Sequence, residues 1–512
     1  HSFGSSCGRC HTSAGGRNLW HAIWQAARML SVRPLLSLPT AALAGLLGTT
    51  AATPAQAPAA SPPATAPQSD AQAPPAKQPA AKPWRLNDAL GTPEWLRISG
   101  EHRTRYESLN GQFRSRQNNQ FRDNEDVLVA RTSLRGDVRF DELGGTLELL
   151  DSRGYGFQPN SFLDTTVTNV LDVLQAHVTY TLGDADNGTH RLLAGRYTMD
   201  LGNRRLVARN AFRNTINSFG GVDYLYEHDA DSVRAFWTLP TNRLPNDFAS
   251  LRDNEHDWDD QDTELQFAGV YWTRRLAEQW TGEAYVFGLH ERGDTSRRRE
   301  LLTPGVRVVR DGGRGDWFGE FEGAYQFGDS KTGTNAALAQ LDHSAWFAHL
   351  SLGYTFDHEL EPFVRVAYDW ATGDDDPNDS ENNRFDTLFG ARRFEYGPTG
   401  IWGAIARANL RSPELRMGFR PSKSTRFIAA FRDVRLDAER DAWTTAGNAR
   451  DVDGSANGQV GQQYEVRLQW DPLPRNLRLE IGGAYLVGGD WQDEVGRGGD
   501  ARYGYAEVTF WF

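Results

Sequence analysis

The chain has 512 residues, a formal net charge of -12, 39% hydrophobic residues and a mean hydropathy of -0.59. No apolar run of about 18 residues occurs, which excludes a helical membrane protein. A transmembrane β-barrel passes the same test, because half of every strand faces water and dilutes the hydropathy. The negative charge gives no basis for nucleic-acid binding.

The N-terminal region holds both cysteines, in Cys7-Gly8-Arg9-Cys10-His11. Cys-x-x-Cys-His is the attachment pattern of c-type haem, so Cys7, Cys10 and His11 form a haem candidate. The context argues otherwise. A signal peptide reads from Met29 to Ala57, with Arg33 before a short apolar core and small residues after it. Residues 1–28 then lie upstream of it, and the mature protein carries no cysteine and needs no cofactor. Residues 58–94 are rich in Pro and Ala, a composition that cannot bury a core, and are expected to be a disordered periplasmic spacer.

From residue 95 the chain alternates with period two. Ile98, Gly100, His102, Thr104 and Tyr106 oppose Arg97, Ser99, Glu101, Arg103 and Arg105. Leu174, Ala176, Val178 and Tyr180 oppose Gln175, His177 and Thr179. Trp346, Ala348, Leu350, Leu352, Tyr354 and Phe356 form one long apolar face. The last strand puts Gly504, Ala506, Val508, Phe510 and Phe512 on one face, with Arg502, Tyr505, Glu507, Thr509 and Trp511 assigned to the other. Such alternation sets one side in lipid and the other in a polar interior.

Long polar stretches and short turns alternate as well. The long ones are 109–125, 157–169, 202–214, 242–261, 293–299, 330–341, 374–401, 439–461 and 491–500. Turns fall near Glu142, Asp186, Asp229, Ala277, Gly312, His358, Ser422 and Pro472. Nine loops and eight turns predict an all-β fold over 95–512, a transmembrane antiparallel barrel of about 18 strands in the bacterial outer membrane. A barrel of that size is expected to enclose an aqueous channel.

Two stretches carry a family likeness. One is Ser99 to Arg114 followed by Leu128 to Arg135; the other is Gly195 to Leu206 followed by Asn214 to Val222. Both resemble the alginate export family of outer-membrane porins. Gly220 stands where relatives commonly carry Asp. The resemblance implies a single-chain barrel that releases an anionic polysaccharide through an Arg-lined pore, works as a monomer, and meets periplasmic export proteins.

The basic residues suit that expectation. Lysine occurs only at Lys77, Lys82, Lys331 and Lys423, so 51 of the 55 basic residues are Arg, whose fork pairs with carboxylates. Arg131, Arg196, Arg204, Arg205, Arg365 and Arg407 are the candidates for cargo contact. Arg204 and Arg205 follow Gly202 in a loop expected to reach the pore mouth. The plainer reading is that most lumen arginines brace the wall by pairing with acids.

Asp374, Asp376 and Asp379 lie in an acidic run that offers oxygen ligands to a divalent cation, but the run lacks the glycine and spacing of an EF-hand. No nucleophile, base or phosphate-binding motif of recognised spacing occurs, so no enzyme is expected. Two alternatives to polysaccharide export are a diffusion or uptake porin for small anions and an envelope protein linked to a c-type cytochrome.

Overall fold

The computed structural model describes residues 83–512, apart from 117–118, 185, 295, 394, 452 and 496–498. Cys7, Cys10 and His11, the signal peptide and most of the spacer lie outside the described residues. The barrel begins with β1 (Leu96–Asn110), β2 (Asn124–Phe140), β3 (Leu143–Tyr155), β4 (Asn169–Asp184), β5 (Gly188–Tyr197) and β6 (Phe219–His228). It continues with β7 (Asp231–Pro240), β8 (Leu265–Ala277), β9 (Trp280–Glu291), β10 (Glu300–Arg310), β11 (Asp316–Ser330) and β12 (Leu341–Thr355). It ends with β13 (Phe363–Ala371), β14 (Leu410–Ser422), β15 (Thr425–Arg435), β16 (Gln459–Leu473), β17 (Leu477–Gly488) and β18 (Ala501–Trp511). Each strand pairs antiparallel with the next.

β18 returns to β1, with Arg103 opposite Thr509 and Arg105 opposite Glu507. This closes an 18-strand cylinder, and closure removes the free edge that no backbone could leave unpaired in lipid. All nine loops and eight turns sit where the alternation placed them. The tight turns use residues that tolerate positive φ: Asp141 at 47° and Asp229 at 50° reverse the β2–β3 and β6–β7 hairpins.

The outer face is apolar in its middle, where Leu134, Val178, Leu350, Leu352, Val366 and Ile481 are exposed. Two aromatic girdles flank it. Trp95, Phe140, Trp280 and Trp317 ring the end with the short turns; Tyr106, Tyr155, Trp237 and Trp346 ring the end with the long loops. Arg502 departs from its expected face. It shares parity with Ala506 and Val508, points outward and lies over the Tyr485 ring at 5.3 Å, at the loop end where a charge can stay in water.

The segment expected to be a disordered spacer contains a short helix, α1 (Leu86–Leu90). The Asn87 side chain accepts the Ile98 N–H at 2.5 Å, and Gly91 closes the helix at φ 60°. Just before it, Trp84 stacks on Phe510 at 6.2 Å and donates its N–H to Asn476 at 2.9 Å. The folded chain therefore starts before residue 95, pinned beside the closing strand.

The lumen also differs from expectation. Near the loop end it is filled, not open: Phe113, Phe157, Met199, Leu206, Trp402, Trp443 and Trp491 from the loops join Phe219, Phe267, Phe287, Phe347 and Tyr503 from the wall in one buried cluster. Phe113 packs edge-on against Trp402 at 5.2 Å, and Trp402 stacks on Tyr503 at 5.9 Å. Each such side chain stabilises the packed state by about 1.5–3 kcal/mol. Strand number sets the cylinder's width, but loop sequence decides what fills it.

Candidate functional site

Two loops cross the lumen, 198–218 after β5 and 372–409 after β13. They are stitched together by backbone. Phe389 N–H donates to the Leu206 carbonyl at 2.9 Å, Ala208 N–H to Phe389 at 3.2 Å, and Ala391 N–H to Arg204 at 2.8 Å. Gly390 permits this approach, since a Cβ there would collide with the Arg205 carbonyl oxygen.

Arg205 sits at the centre and is 1% exposed. Its guanidinium meets Glu320 at 2.5 Å and Glu322 at 2.6 Å on β11, and Glu395 of the second loop at 2.5 Å. Glu395 also pairs with Arg407, while its backbone carbonyl accepts Arg416 of β14 at 3.1 Å and Arg432 of β15 at 3.2 Å. One residue thus ties both loops to two wall strands. Burial opposes ionisation of Glu395, yet Arg205 and then Arg407 hold its carboxyl below the ordinary carboxylate range.

Around this hub the charges match. Six carboxylates (Glu283, Glu320, Glu322, Asp369, Glu395 and Glu414) meet six guanidiniums (Arg205, Arg307, Arg365, Arg407, Arg416 and Arg432). His349 Nδ1 lies 2.7 Å from Asp369. Buried ions of this kind are tolerable only when paired.

Below the plug a solvent-open cavity faces the short turns. Asn203, Arg204, Ala391, Arg393 and Glu395 form its roof, and Arg310, Asp311 and Gly312 mark the turn end. Six arginines line it (Arg204, Arg310, Arg365, Arg393, Arg416 and Arg426) against three acids (Asp311, Glu320 and Glu395). Carboxylates stand behind these forks: Arg310 pairs with Asp316, Arg365 and Arg416 with Glu414, and Arg393 with Glu465 and Glu480.

The six candidate cargo residues fall into two groups. Arg204, at φ 62° in a tight turn, lines the cavity, and Arg365 lines it while pairing with Glu414 at 2.5 Å. Arg205 and Arg407 belong to the hub, well below the loop mouth. Arg131 and Arg196 lie apart from these. Arg131 pairs with Glu101 at 2.5 Å and donates to the Ala211 carbonyl at 2.7 Å, fastening the first loop. Arg196 holds Asp172 at 2.8 Å and the Val173 carbonyl at 2.6 Å. Gly220 leaves room for the Gln261 side chain, which donates to Thr241 at 3.0 Å.

The acidic run does not converge. Asp374 is buried and its N–H donates to Asp441 at 3.1 Å, whereas Asp376 and Asp379 are exposed. Among the described residues no three His, Cys, Asp or Glu are grouped to hold a metal. Glu395, Arg393 and Asp369 also belong to the hub or the cavity wall, and no sequence motif marks them. Asp369 alternates on β13 with the outward Tyr368, so its inward facing follows the period and only its pairing does not. Glu395 and Arg393 lie in a loop, where period-two alternation gives no facing.

The sequence matches the alginate export family over residues 94–504. No curated protein matches. Several outer-membrane porins of Pseudomonas aeruginosa share the fold. OccK11 (OpdR) is 12% identical with TM-score 0.51, covering 85% of this chain and 99% of its own. OccK8 (OprE) is 12% identical with TM-score 0.51, covering 81% and 98%. OpdK is 13% identical with TM-score 0.51, covering 81% and 98%.

Proposed function

This chain belongs to the alginate export family and forms an outer-membrane channel, and from that premise we propose that it carries an anionic polysaccharide outward from the periplasm. The observation that supports this most is the arginine-lined cavity at the turn end, where a periplasmic cargo would first meet the protein. A uronate carboxylate suits a guanidinium fork, and acids beside it keep binding weak enough for release. Arg204 and Arg365 serve as first contacts, and Arg205 and Arg407 become available when the plug moves. Arg131 and Arg196 position the loops. The chain acts as a monomer and performs no catalytic step in this reading.

A solvent-open cavity that ends under a packed plug also suits a solute much smaller than a polymer. That favours, as a second reading, passage of small carboxylates. Planar-bilayer recordings separate the two. Oligouronates added at the turn end should block the current at lower concentration as the chain lengthens. Block by monouronate alone, with no gain on lengthening, selects the small-anion porin.

A further inference from the structure

Lipid demands apolar side chains between the two aromatic girdles, and Val178, Leu350, Leu352, Val366 and Ile481 meet that demand. Three neighbouring strands break the rule over part of their length. His102 and Thr104 on β1, Thr132 on β2, and Asp151 and Arg153 on β3 share the outward parity of Tyr106, Leu134 and Tyr155, which are exposed. The residues between them, Arg103, Arg131 and Ser152, are buried on the lumen side. Register joins the five into one patch. His102 stands opposite Thr132 and Thr132 opposite Asp151, while Thr104 stands opposite Ala130 and Ala130 opposite Arg153. The patch lies on the turn side of Tyr106 and Tyr155 and on the loop side of Trp95 and Phe140, hence inside the band.

Part of the patch is satisfied from within. The His102 ring shares hydrogen bonds with Thr132 at 2.9 Å and Thr104 at 3.1 Å. Asp151 accepts Arg153 Nε at 2.9 Å and the Leu171 N–H at 3.2 Å. Arg153 is thereby drawn towards Asp151, deeper in the band, instead of reaching past Tyr155 to water. Its two terminal nitrogens make no hydrogen bond among the described residues. A guanidinium with unused donors is costly in lipid, where ionisable groups are normally paired.

The space over this face is open as well. A Cβ on Gly136 of β2 or Gly504 of β18 would meet nothing, and neither glycine has positive φ, so this chain's own packing requires neither. Small residues beside polar side chains let two protein surfaces approach and bond inside a membrane. An anionic lipid suits the face less well. Asp126 and Asp500, which accept the Tyr106 and Tyr485 hydroxyls, flank it past the girdle, so a phosphate head group would meet acids there.

We infer that this face of β1, β2 and β3 is where a second copy of the chain docks laterally in the outer membrane. The patch is self-complementary. A two-fold axis along the membrane normal sets both copies at one depth, and each Arg153 then reaches the other copy's Asp151. Each barrel keeps its own lumen, so one chain remains the transport unit. The contact does not depend on the cargo or its direction.

Thiol cross-linking in the outer membrane of cells making the full-length chain tests the contact, with Cys7 and Cys10 replaced by Ser. A co-expressed copy with a different tag identifies the partner. Ser108→Cys places a thiol two residues past Tyr106, in water above the patch; Ser344→Cys places one two residues past Trp346, on β12. With a short bismaleimide, Ser108→Cys should give a product holding both tags, at a yield at least about 5-fold above that of Ser344→Cys. Adding Asp151→Leu with Arg153→Leu should lower the Ser108→Cys yield at least about 5-fold. Leucine suits lipid, so this variant should fold, as judged by heat-modifiable gel migration, and Asp151→Asn serves if it does not. A Ser108→Cys yield no higher than that of Ser344→Cys, a product that lacks the second tag, or a folded variant that cross-links as before rejects the docking face.

Discussion

Glu395 is held by four arginines, two through its side chain and two through its carbonyl. Removing its charge unpairs Arg407 and leaves Arg205 with Glu320 and Glu322. Breaking a buried ion pair costs about 3–5 kcal/mol, and the remaining partners of Arg205 reduce that to roughly 1–3 kcal/mol. Glu395→Gln should therefore raise the fraction of time the channel conducts, with the barrel still folded. Single-channel traces identical to wild type would show that Glu395 does not hold the plug. Asp259, in the loop between β7 and β8, gives a pH test. Its pKa rises from 3.8 to about 6, because of burial first and the neighbouring Asp172 second. A folded-state pKa above the unfolded one favours the protonated form in the fold. This group's contribution thus becomes more favourable as pH falls from about 6 towards 4, and its full cost is present above 6. Asp259→Asn should stabilise the protein at pH 7.5 by roughly 1–3 kcal/mol, and the gain should shrink as pH falls through that window. Thermal unfolding at pH 7.5 and pH 4.5 measures both.

Among the elements, β12 tests the facing of the wall. Leu352 is 52% exposed towards lipid, whereas Ser351, one residue away, lines the turn-side cavity opposite Glu320. Arg on the lipid face near mid-membrane costs about 2–4 kcal/mol. Leu352→Arg should lower the yield of folded barrel in liposomes, while Ser351→Arg should fold and gain a partner in Glu320. Equal yields would place β12 in the wrong register. This facing was legible from sequence, because lipid demands an apolar residue at every second position whatever the partner strand is. Arg502 shows where the rule fails: past the aromatic girdle an outward residue meets water, so its polarity no longer reports its side. The helix at Leu86–Leu90 was missed for a different reason. Five residues carry no period, and its support comes from Ile98 and, through Trp84, from Asn476 and Phe510.

Across the whole molecule, wall and plug are built on different principles. The wall follows from hydrogen-bond closure and alternation, so strand count and loop parity could be read directly. The plug follows from contacts between residues far apart in sequence, such as Arg205 with Glu395 and Phe113 with Trp402. No local pattern announces these, which is why an open channel was expected where the loops in fact pack. The two can be separated by experiment. Residues 376–406 leave β13 and β14 intact, so their replacement by about four Gly and Ser residues should spare the strand ladder. It would remove Glu395, Trp402 and the backbone stitching to 198–218. The shortened protein should still show heat-modifiable migration, conduct continuously with a several-fold larger unit current, and remain anion-preferring through Arg310, Arg365, Arg416 and Arg426. Reversal potentials in a salt gradient measure that preference. A folded variant with the small, intermittent current of a packed lumen would mean that 198–218 closes the barrel unaided. A variant that conducts freely but prefers cations would remove the basis for reading the turn-side arginines as a carboxylate path.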